Sequence, residues 1–256
     1  MKATGRMDFL TERMNDLGLG FMAAGLDSFL AEKGRADLPL MDNLCELFDL
    51  EYLPRKERMI RTRLKLSGMP HSKRLEDFDR AWLKGGLTEK RFAELSSLAF
   101  LPRKENVILM GPSGVGKTHL LLGLGRKACM EGYSAYYMSC QDMVEMLTKA
   151  RAQNNLKRKL RWLKKPNVLL LDEIGYESLS SEQATLFFQL VATRYEQGSI
   201  IMTTNKTFGK WGELLSDDAV ATATLDRLLH HAHVLSLKGD SYRMKERIKA
   251  GVVDFG

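Results

Sequence analysis

The segment GPSGVGKT at residues 111–118 constrains the fold of this chain more than any other part of its sequence. An apolar run at residues 107–110 precedes it, and a helical pattern at 119–130 follows it. A glycine-rich loop in this position lets successive backbone N–H groups and the amino end of the helix point at phosphate oxygens. The sequence therefore predicts a nucleotide-binding loop between a strand and a helix.

Nine residues of this loop are candidates for contact with the nucleotide. Lys117 is expected to reach the β- and γ-phosphates, and the Thr118 hydroxyl to bind Mg²⁺. A glycine-rich turn with a chance lysine is the alternative, but the flanking strand and helix patterns favour a phosphate-binding loop. The candidates are Gly111, Pro112, Ser113, Gly114, Val115, Gly116, Lys117, Thr118 and His119.

Polar residues end two further apolar runs. Asp172 and Glu173 follow the run at 168–171, at the carboxyl end of a predicted strand, where open α/β sheets bind ligands. Asp172 is suited to hold Mg²⁺ through its water shell, and Glu173 to orient and deprotonate an attacking water. Asn205 ends the run at 200–204 and is placed to hydrogen-bond that water or the γ-phosphate. The alternatives are a surface turn with two solvated acids and an ordinary turn asparagine.

Short apolar runs that alternate with helical patterns characterise the second part of the chain. A strand buried on both faces has no polar side and therefore reads as a continuous apolar run. The pattern predicts an α/β fold with a parallel sheet covered on both faces. The five runs are residues 107–110, 135–138, 168–171, 200–203 and 233–237.

The first part of the chain shows helical spacing and no alternation typical of strands. Apolar residues recur at i, i+4 and i+7 from Leu10 onwards. Pro54 is expected to occupy the first turn of a further helix, which is strongly basic over residues 55–65. The predicted organisation is a small helical domain at residues 1–70 and an α/β domain at 71–256.

Composition excludes several classes of protein. The 39 Lys and Arg residues exceed the 32 Asp and Glu residues, and the formal charge of +7 fits an anionic partner. No apolar run approaches the ~18 residues that a membrane helix needs. The three cysteines, Cys45, Cys129 and Cys140, lack the spacing of a disulfide framework or a zinc site. We expect a cytoplasmic protein without membrane contact.

Between residues 146 and 171 the chain contains eight basic residues and no acidic one. Solvated charged faces normally mix signs, so contact with DNA is favoured over a merely solvated face. No base-reading motif is present, and backbone contact with little sequence preference is expected. The helix at 55–65 is a second candidate, with a partner protein as the alternative ligand. The residues predicted to contact DNA are Lys149, Arg151, Lys157, Arg158 and Arg161.

Four segments together resemble the IstB-like ATPases, AAA+ proteins that assist the transposases of insertion sequences and are relatives of the DnaC helicase loaders. The resemblance covers residues 75–245 closely, and it implies an AAA+ P-loop core, with ATP and Mg²⁺ as cofactors. It further implies self-assembly into an oligomer, with double-stranded DNA and a cognate transposase as partners. The segments are GPSGVGKTH at 111–119, LLLDEIGY at 169–176, IIMTTN at 200–205 and LDRLLHHAHVLSLKGDSYR at 225–243.

The resemblance also implies roles for single residues. Lys117 and Thr118 form the Walker A motif, Asp172 and Glu173 the Walker B motif, and Asn205 is sensor 1.

Arginines near the end of the chain are the candidates for a group shared between subunits. By the resemblance, Arg227 is the arginine finger that reaches the nucleotide of a neighbouring subunit, and Arg194 is the second choice. An ordinary surface arginine paired with Asp226 or Asp217 is the alternative for Arg227. Arg243 resembles a family motif without an assigned role, and because 13 residues follow it, no C-terminal helical lid is expected.

Two other functions stay open on the sequence alone. A DnaC-like replicative helicase loader would have nearly the same core, with N-terminal helices that bind a helicase. A P-loop kinase acting on a small molecule would need a substrate pocket and a lid. His230, His231 and His233 are assigned to a turn and the last strand rather than to a metal site, because no Cys or acidic residue stands at ligand spacing.

Overall fold

The structure, a computed structural model, describes residues 3–32, 38–70, 73–79 and 83–242. Arg243 lies outside the described residues, as does the end of the chain where no lid is expected. The chain divides into two compact units, Met1–Thr62 and Arg63–Gly256. The domain division expected at residue 70 stays a prediction. Within the described residues, no helix is both long and apolar enough to cross a membrane.

The smaller unit is built from helices, as predicted. These are α1 (Ala3–Asp16), α2 (Gly20–Ala31) and the greater part of α3 (Leu40–Leu66). Met14, Met22 and Leu26 form its buried cluster.

The helix expected to begin at Pro54 is not a separate element, and that prediction was wrong. Pro54 lies inside α3. A proline removes one backbone hydrogen bond from a helix, but contacts of its neighbours hold this helix together. The buried Glu51 carboxylate accepts hydrogen bonds from the backbone N–H groups of Phe21 (2.8 Å) and Met22 (3.0 Å), and it pairs with Arg55 at 2.6 Å, across the proline. The Met22 N–H, with Arg55, holds the pKa of Glu51 below its ordinary value.

The larger unit contains the predicted parallel sheet, and all five predicted strands are confirmed. Its order is β3-β4-β5-β2-β6, with every neighbouring pair parallel. Two short strands, which no sequence pattern indicated, form an antiparallel pair, β1 with β7. The strands are β1 (Leu83–Gly85), β2 (Asn106–Met110), β3 (Ala135–Ser139), β4 (Val168–Ile174), β5 (Ser199–Thr204), β6 (Ala232–Ser236) and β7 (Lys238–Gly239).

Helices cover both faces of this sheet. In β4, Val168 and Leu170 pack into one buried cluster, while Leu169 and Leu171 pack into the other. All four side chains are fully buried, which explains why the strand reads as a continuous apolar run. The helices are α4 (Glu89–Ser96), α5 (Lys117–Met130), α6 (Cys140–Ala152), α7 (Leu156–Lys164), α8 (Ser181–Arg194), α9 (Trp211–Leu215) and α10 (Asp218–Leu229).

Candidate active site

The glycine-rich loop joins the carboxyl end of β2 to the amino end of α5. Gly116 precedes the helix in a left-handed conformation, with φ of +93°, which a glycine adopts without steric cost. Lys117 is nearly buried, and its Nζ lies 2.8 Å from the Gly111 carbonyl oxygen and 2.7 Å from that of Pro112. The ammonium group is therefore held inside the curve of the loop, where a phosphate group would meet both it and the amino end of α5.

This loop lines a cavity of about 490 Å³. Phe78 forms part of its wall, packs edge-on against His119, and leaves no room for a side chain at Gly116. His119 itself is held by a hydrogen bond to the Arg74 carbonyl oxygen at 2.7 Å. The remaining side chains of the wall come from the segment before β1, from β4 and the residues just after it, from β5, and from the segment after β7. The lining residues outside the loop and α5 are Lys73, Asp77, Phe78, Asp79, Glu173, Tyr176, Thr203 and Tyr242.

The two acidic residues lie at an irregularity in β4. The register between β4 and β5 shifts between Leu171 and Ile174, and Glu173 adopts a φ of +63°. A bulge of this kind redirects a side chain. The left-handed conformation is strained for a residue other than glycine, and such residues are concentrated at functional sites. As a result Asp172 is buried, while Glu173 is exposed and lines the cavity.

The Oδ1 atom of Asp172 accepts hydrogen bonds from three neighbouring groups. Thr118 Oγ1 donates to Oδ1 at 3.1 Å, the backbone N–H of Glu173 donates to the same oxygen at 3.1 Å, and the Thr203 hydroxyl also donates to it. Oxygen atoms of Thr118 and Asp172 thus meet beside the loop. Hard oxygen donors are the ligands that Mg²⁺ prefers, so this pair fits the ion expected there.

Two residues of this site were not identified from the sequence. Thr203 donates to Asp172 and accepts a hydrogen bond from the Glu173 N–H at 2.8 Å, so one hydroxyl joins both acidic residues. Tyr137 on β3 donates to Asp172 Oδ2 at 3.4 Å. Burial and the Asp172 carboxylate raise the pKa of Tyr137, which keeps this phenol protonated as a donor. The only signal in the sequence for Thr203 was its position two residues before Asn205.

The structure does not bring Asn205 or Arg227 into this cavity. Asn205 is exposed just after β5, and its side-chain oxygen lies beside Gly175. Arg227 is half-buried on α10, where it donates to the Ala223 carbonyl at 2.9 Å and lies over the ring of Phe188, 4.9 Å from its centre. Within the part of the chain that the structure describes, it forms no ion pair with Asp226 or Asp217. The roles of both residues stay predictions.

Arg194 has a structural role that excludes it as a subunit-bridging arginine, and that second choice was wrong. Its side chain is 1% exposed, and it donates to the carbonyl oxygens of Leu163, Pro166, Asn167 and Ser199 at 2.7–3.4 Å. Burial lowers the pKa of Arg194 to about 10. A guanidinium surrounded by backbone carbonyls inside its own subunit cannot reach a nucleotide in another one.

The basic stretch between residues 146 and 171 contains the helix α7. Leu160 and Leu163 anchor it in the core, while Lys157, Arg158 and Arg161 are exposed. Among the described residues, no carboxylate forms an ion pair with these three cations. Arg151, at the end of α6, instead pairs with Glu182 at 3.5 Å, and the exposed Lys149 borders a groove that also contains acidic residues. Unbalanced positive charge is therefore concentrated on α7.

The three histidines near the last strand separate into two environments. His233 is half-buried and lies 2.9 Å from the Glu105 carboxylate. His230 and His231 lie together, and the fold brings Glu196 beside them. The placement of these histidines in a turn and in the last strand is confirmed. Glu196 is far away in the sequence, so ligand spacing could not reveal that the fold brings it close to His230 and His231.

The sequence of this chain matches a known protein family and its members. The sequence model of the family described as "IstB-like ATP binding protein" matches residues 12–250. An ATP-binding protein of insertion sequence IS21 from Pseudomonas aeruginosa is 43% identical over 240 residues, which cover 94% of this chain and 90% of that protein. A similarly named protein of insertion sequence IS5376 from Geobacillus stearothermophilus is 43% identical over 204 residues, or 80% and 81% of the two chains.

The fold is also shared with solved structures. The crystal structure of the DnaC helicase loader superimposes with a TM-score of 0.53 at 20% identity, covering 65% of this chain and 97% of the loader. This likeness shows an AAA+ P-loop fold. Together with the family match across nearly the whole sequence, it establishes that the chain belongs to the IstB-like ATP binding protein family.

Proposed function

We propose that this protein is a Mg²⁺-dependent ATPase of the cytoplasm that assembles on double-stranded DNA and directs a transposase to it. Its relatives are named as ATP-binding proteins of insertion sequences, which supports both the nucleotide and the link to transposition. The observation that carries the ATPase proposal is the different position of the two acidic side chains. Asp172 is buried against Thr118, whereas Glu173 lines the cavity.

Each group in the cavity has a task in hydrolysis. Lys117 and the backbone of the loop bind the β- and γ-phosphates, and Thr118 and Asp172 hold Mg²⁺, which supplies charge neutralisation at the phosphates. Glu173 accepts a proton from the attacking water. The Thr203 hydroxyl oxygen accepts a hydrogen bond from the Glu173 N–H group and so fixes the direction of the backbone at Glu173.

Contact with DNA is assigned to α7. Lys157, Arg158 and Arg161 project from a helix that is anchored in the core, and their charge is not balanced by nearby carboxylates of the described chain. Cations of this kind bind phosphates by releasing counterions, without reading the base sequence. Lys149 and Arg151 on α6 are the further residues proposed to contact DNA.

Assembly of subunits completes the site in this proposal. Arg227 does not line its own cavity, so it would act on the nucleotide of a neighbouring subunit. An arginine supplied in this way stabilises the charge that develops on the transferred phosphoryl group. Asn205, just after β5, would hydrogen-bond the attacking water or the γ-phosphate.

A helicase loader is the second candidate function, since the larger unit resembles the DnaC loader structure. The experiment that tests the proposal measures ATP hydrolysis with no DNA, with duplex DNA of unrelated sequences, and with a candidate cognate transposase. Stimulation by duplex DNA and binding of the transposase only in the presence of ATP support it. Stimulation by a replicative helicase instead would favour the loader, and phosphorylation of a metabolite would refute both.

A further inference from the structure

Three side chains with metal-binding atoms meet near the amino ends of β5 and β6, whereas the nucleotide cavity lies at the carboxyl ends of the strands. Glu196 lies in the turn between α8 and β5, and His230 and His231 lie between α10 and β6. One nitrogen of each imidazole and one carboxylate oxygen of Glu196 lie within 4.8 Å of one another. His231 Nε2 is 3.8 Å from the Glu196 carboxylate. All three residues are exposed and accessible from solution.

Tyr195 restrains one member of this cluster. Its phenol oxygen lies 2.7 Å from Nδ1 of His230, and the two rings stack with their centres 5.9 Å apart. Hydrogen bonds that orient a ligating imidazole or carboxylate are the usual second layer of a metal site.

The backbone at Glu196 is itself unusual. Its φ is +55°, a left-handed conformation at the end of a helix, where glycine or asparagine is the common residue. A glutamate in this position is less favourable for the backbone, and such strained residues are concentrated at functional sites. The conformation brings the Glu196 carboxylate towards the two histidines.

We propose that Glu196, His230 and His231 bind a divalent transition-metal ion, with Zn²⁺ as the reference ion. Two imidazole nitrogens and one carboxylate oxygen form a donor set that zinc accepts, and the fourth position is open to water or a further ligand. A tetrahedral ion with ligands ~2.0–2.1 Å away needs donor atoms about 3.4 Å apart. His231 Nε2 and the Glu196 carboxylate are 3.8 Å apart and the three donor atoms lie within 4.8 Å of one another, so rotations of the exposed side chains would supply the remainder.

A bound ion would join the carboxyl end of α10 to the turn that follows α8. Arg227 lies one helical turn before His230, with its guanidinium over Phe188 of α8. The ion would therefore fix the same pair of helices that positions Arg227. This inference does not depend on the ATPase proposal, since the metal site and the nucleotide cavity share no residue.

Titration of the full-length protein, freed of metal by a chelator and desalted, with Zn²⁺ alone tests the site. We expect one saturable equivalent per chain by calorimetry and a rise in the melting temperature. Glu196→Gln and His231→Gln should each weaken the affinity at least about tenfold, because each removes one of three ligands. Glu131→Gln removes an equally exposed carboxylate elsewhere and should leave the affinity unchanged.

Cobalt substitution identifies the ligands. Co²⁺ in a site of two nitrogens and one oxygen should show a weak visible absorption without a band from thiolate ligands. Binding that persists unchanged in both variants, a thiolate band, or the absence of saturable binding would overturn the proposal. Since all three side chains are exposed, circular dichroism of the metal-free variants should match that of the original chain.

Discussion

At the scale of single residues, one hydroxyl group connects the Asp172 side chain to the Glu173 backbone in the candidate active site. Thr203 donates to Asp172 and accepts from the backbone of Glu173. Replacing it by valine keeps the shape but removes both hydrogen bonds. We expect Thr203→Val to lower kcat for ATP about tenfold, because a hydrogen bond to a charged group contributes on the order of 1.5–3 kcal/mol, while the Kd for ATP changes little.

Thr203→Ser is the matched control for that experiment. It retains the hydroxyl and should recover most of the turnover. If serine and valine reduce kcat equally, packing of the threonine methyl group, and not the hydroxyl, is what the site requires.

Lys117 and Glu173 should separate nucleotide binding from hydrolysis. Lys117→Ala removes the cation held against the Gly111 and Pro112 carbonyls and should abolish measurable ATP affinity. Glu173→Gln removes only the group that accepts the proton of water, so ATP affinity should persist while turnover falls at least about a hundredfold. Binding of a fluorescent ATP analogue and steady-state hydrolysis measure the two quantities. Equal loss of affinity in both variants would contradict the roles assigned here.

At the scale of secondary-structure elements, α7 should determine the salt dependence of DNA binding. Charge reversal of Lys157, Arg158 and Arg161 to Glu should weaken binding to unrelated duplexes alike. The slope of log K against log salt concentration should flatten by up to about 2.7, at roughly 0.9 for each DNA phosphate that the helix no longer neutralises. Fluorescence anisotropy at several salt concentrations measures this slope.

A control with the same change in net charge is available on the larger unit. Lys90, Arg91 and Lys104 are exposed and lie outside α7. Their reversal to Glu should leave the slope nearly unchanged. Equal flattening in both triple variants would mean that total charge, and not the position of α7, governs binding.

The elements themselves differ in how far the sequence determines them. Strand β4 could be predicted because burial of both faces leaves a continuous run of apolar residues. The interior position of Pro54 could not, since a local rule places proline at a helix start, whereas Glu51 and Arg55 hold the helix on both sides of it. Local rules fail where contacts distant in sequence outweigh a single missing hydrogen bond.

At the scale of the whole molecule, the position of Arg227 predicts a site completed between subunits. Arg227→Ala and Glu173→Gln proteins, each inactive alone, should recover part of their ATPase activity when mixed in the presence of DNA. An interface that pairs an intact Glu173 with an intact Arg227 from its neighbour is then complete. Hydrolysis across a series of mixing ratios measures the recovery. No recovery, in variants that demonstrably assemble together, would contradict an action between subunits.

Contacts between distant segments also explain which parts of the site the sequence did not reveal. The phosphate-binding loop is contiguous, so its residues could be identified directly. Arg194 bonds to carbonyl groups at residues 163–167 and at Ser199, and Glu196 meets two histidines that lie more than thirty residues later. Neither arrangement leaves a local pattern, because backbone carbonyls carry no sequence signature and side chains that meet through the fold have no fixed spacing.

Strand β5 lies between β4 and β2, and all six of its side chains are buried. Its amide protons are bonded within the sheet and exchange with solvent only when the sheet opens, so β5 should be among the slowest-exchanging segments of the larger unit. In the glycine-rich loop, the Gly111 N–H bonds to the Thr204 carbonyl oxygen at 3.2 Å, whereas residues 112–116 lie outside the sheet. A bound nucleotide should therefore slow deuterium uptake at residues 112–116 and leave β5 unchanged, which makes this strand an internal standard for measuring how far the nucleotide orders the loop.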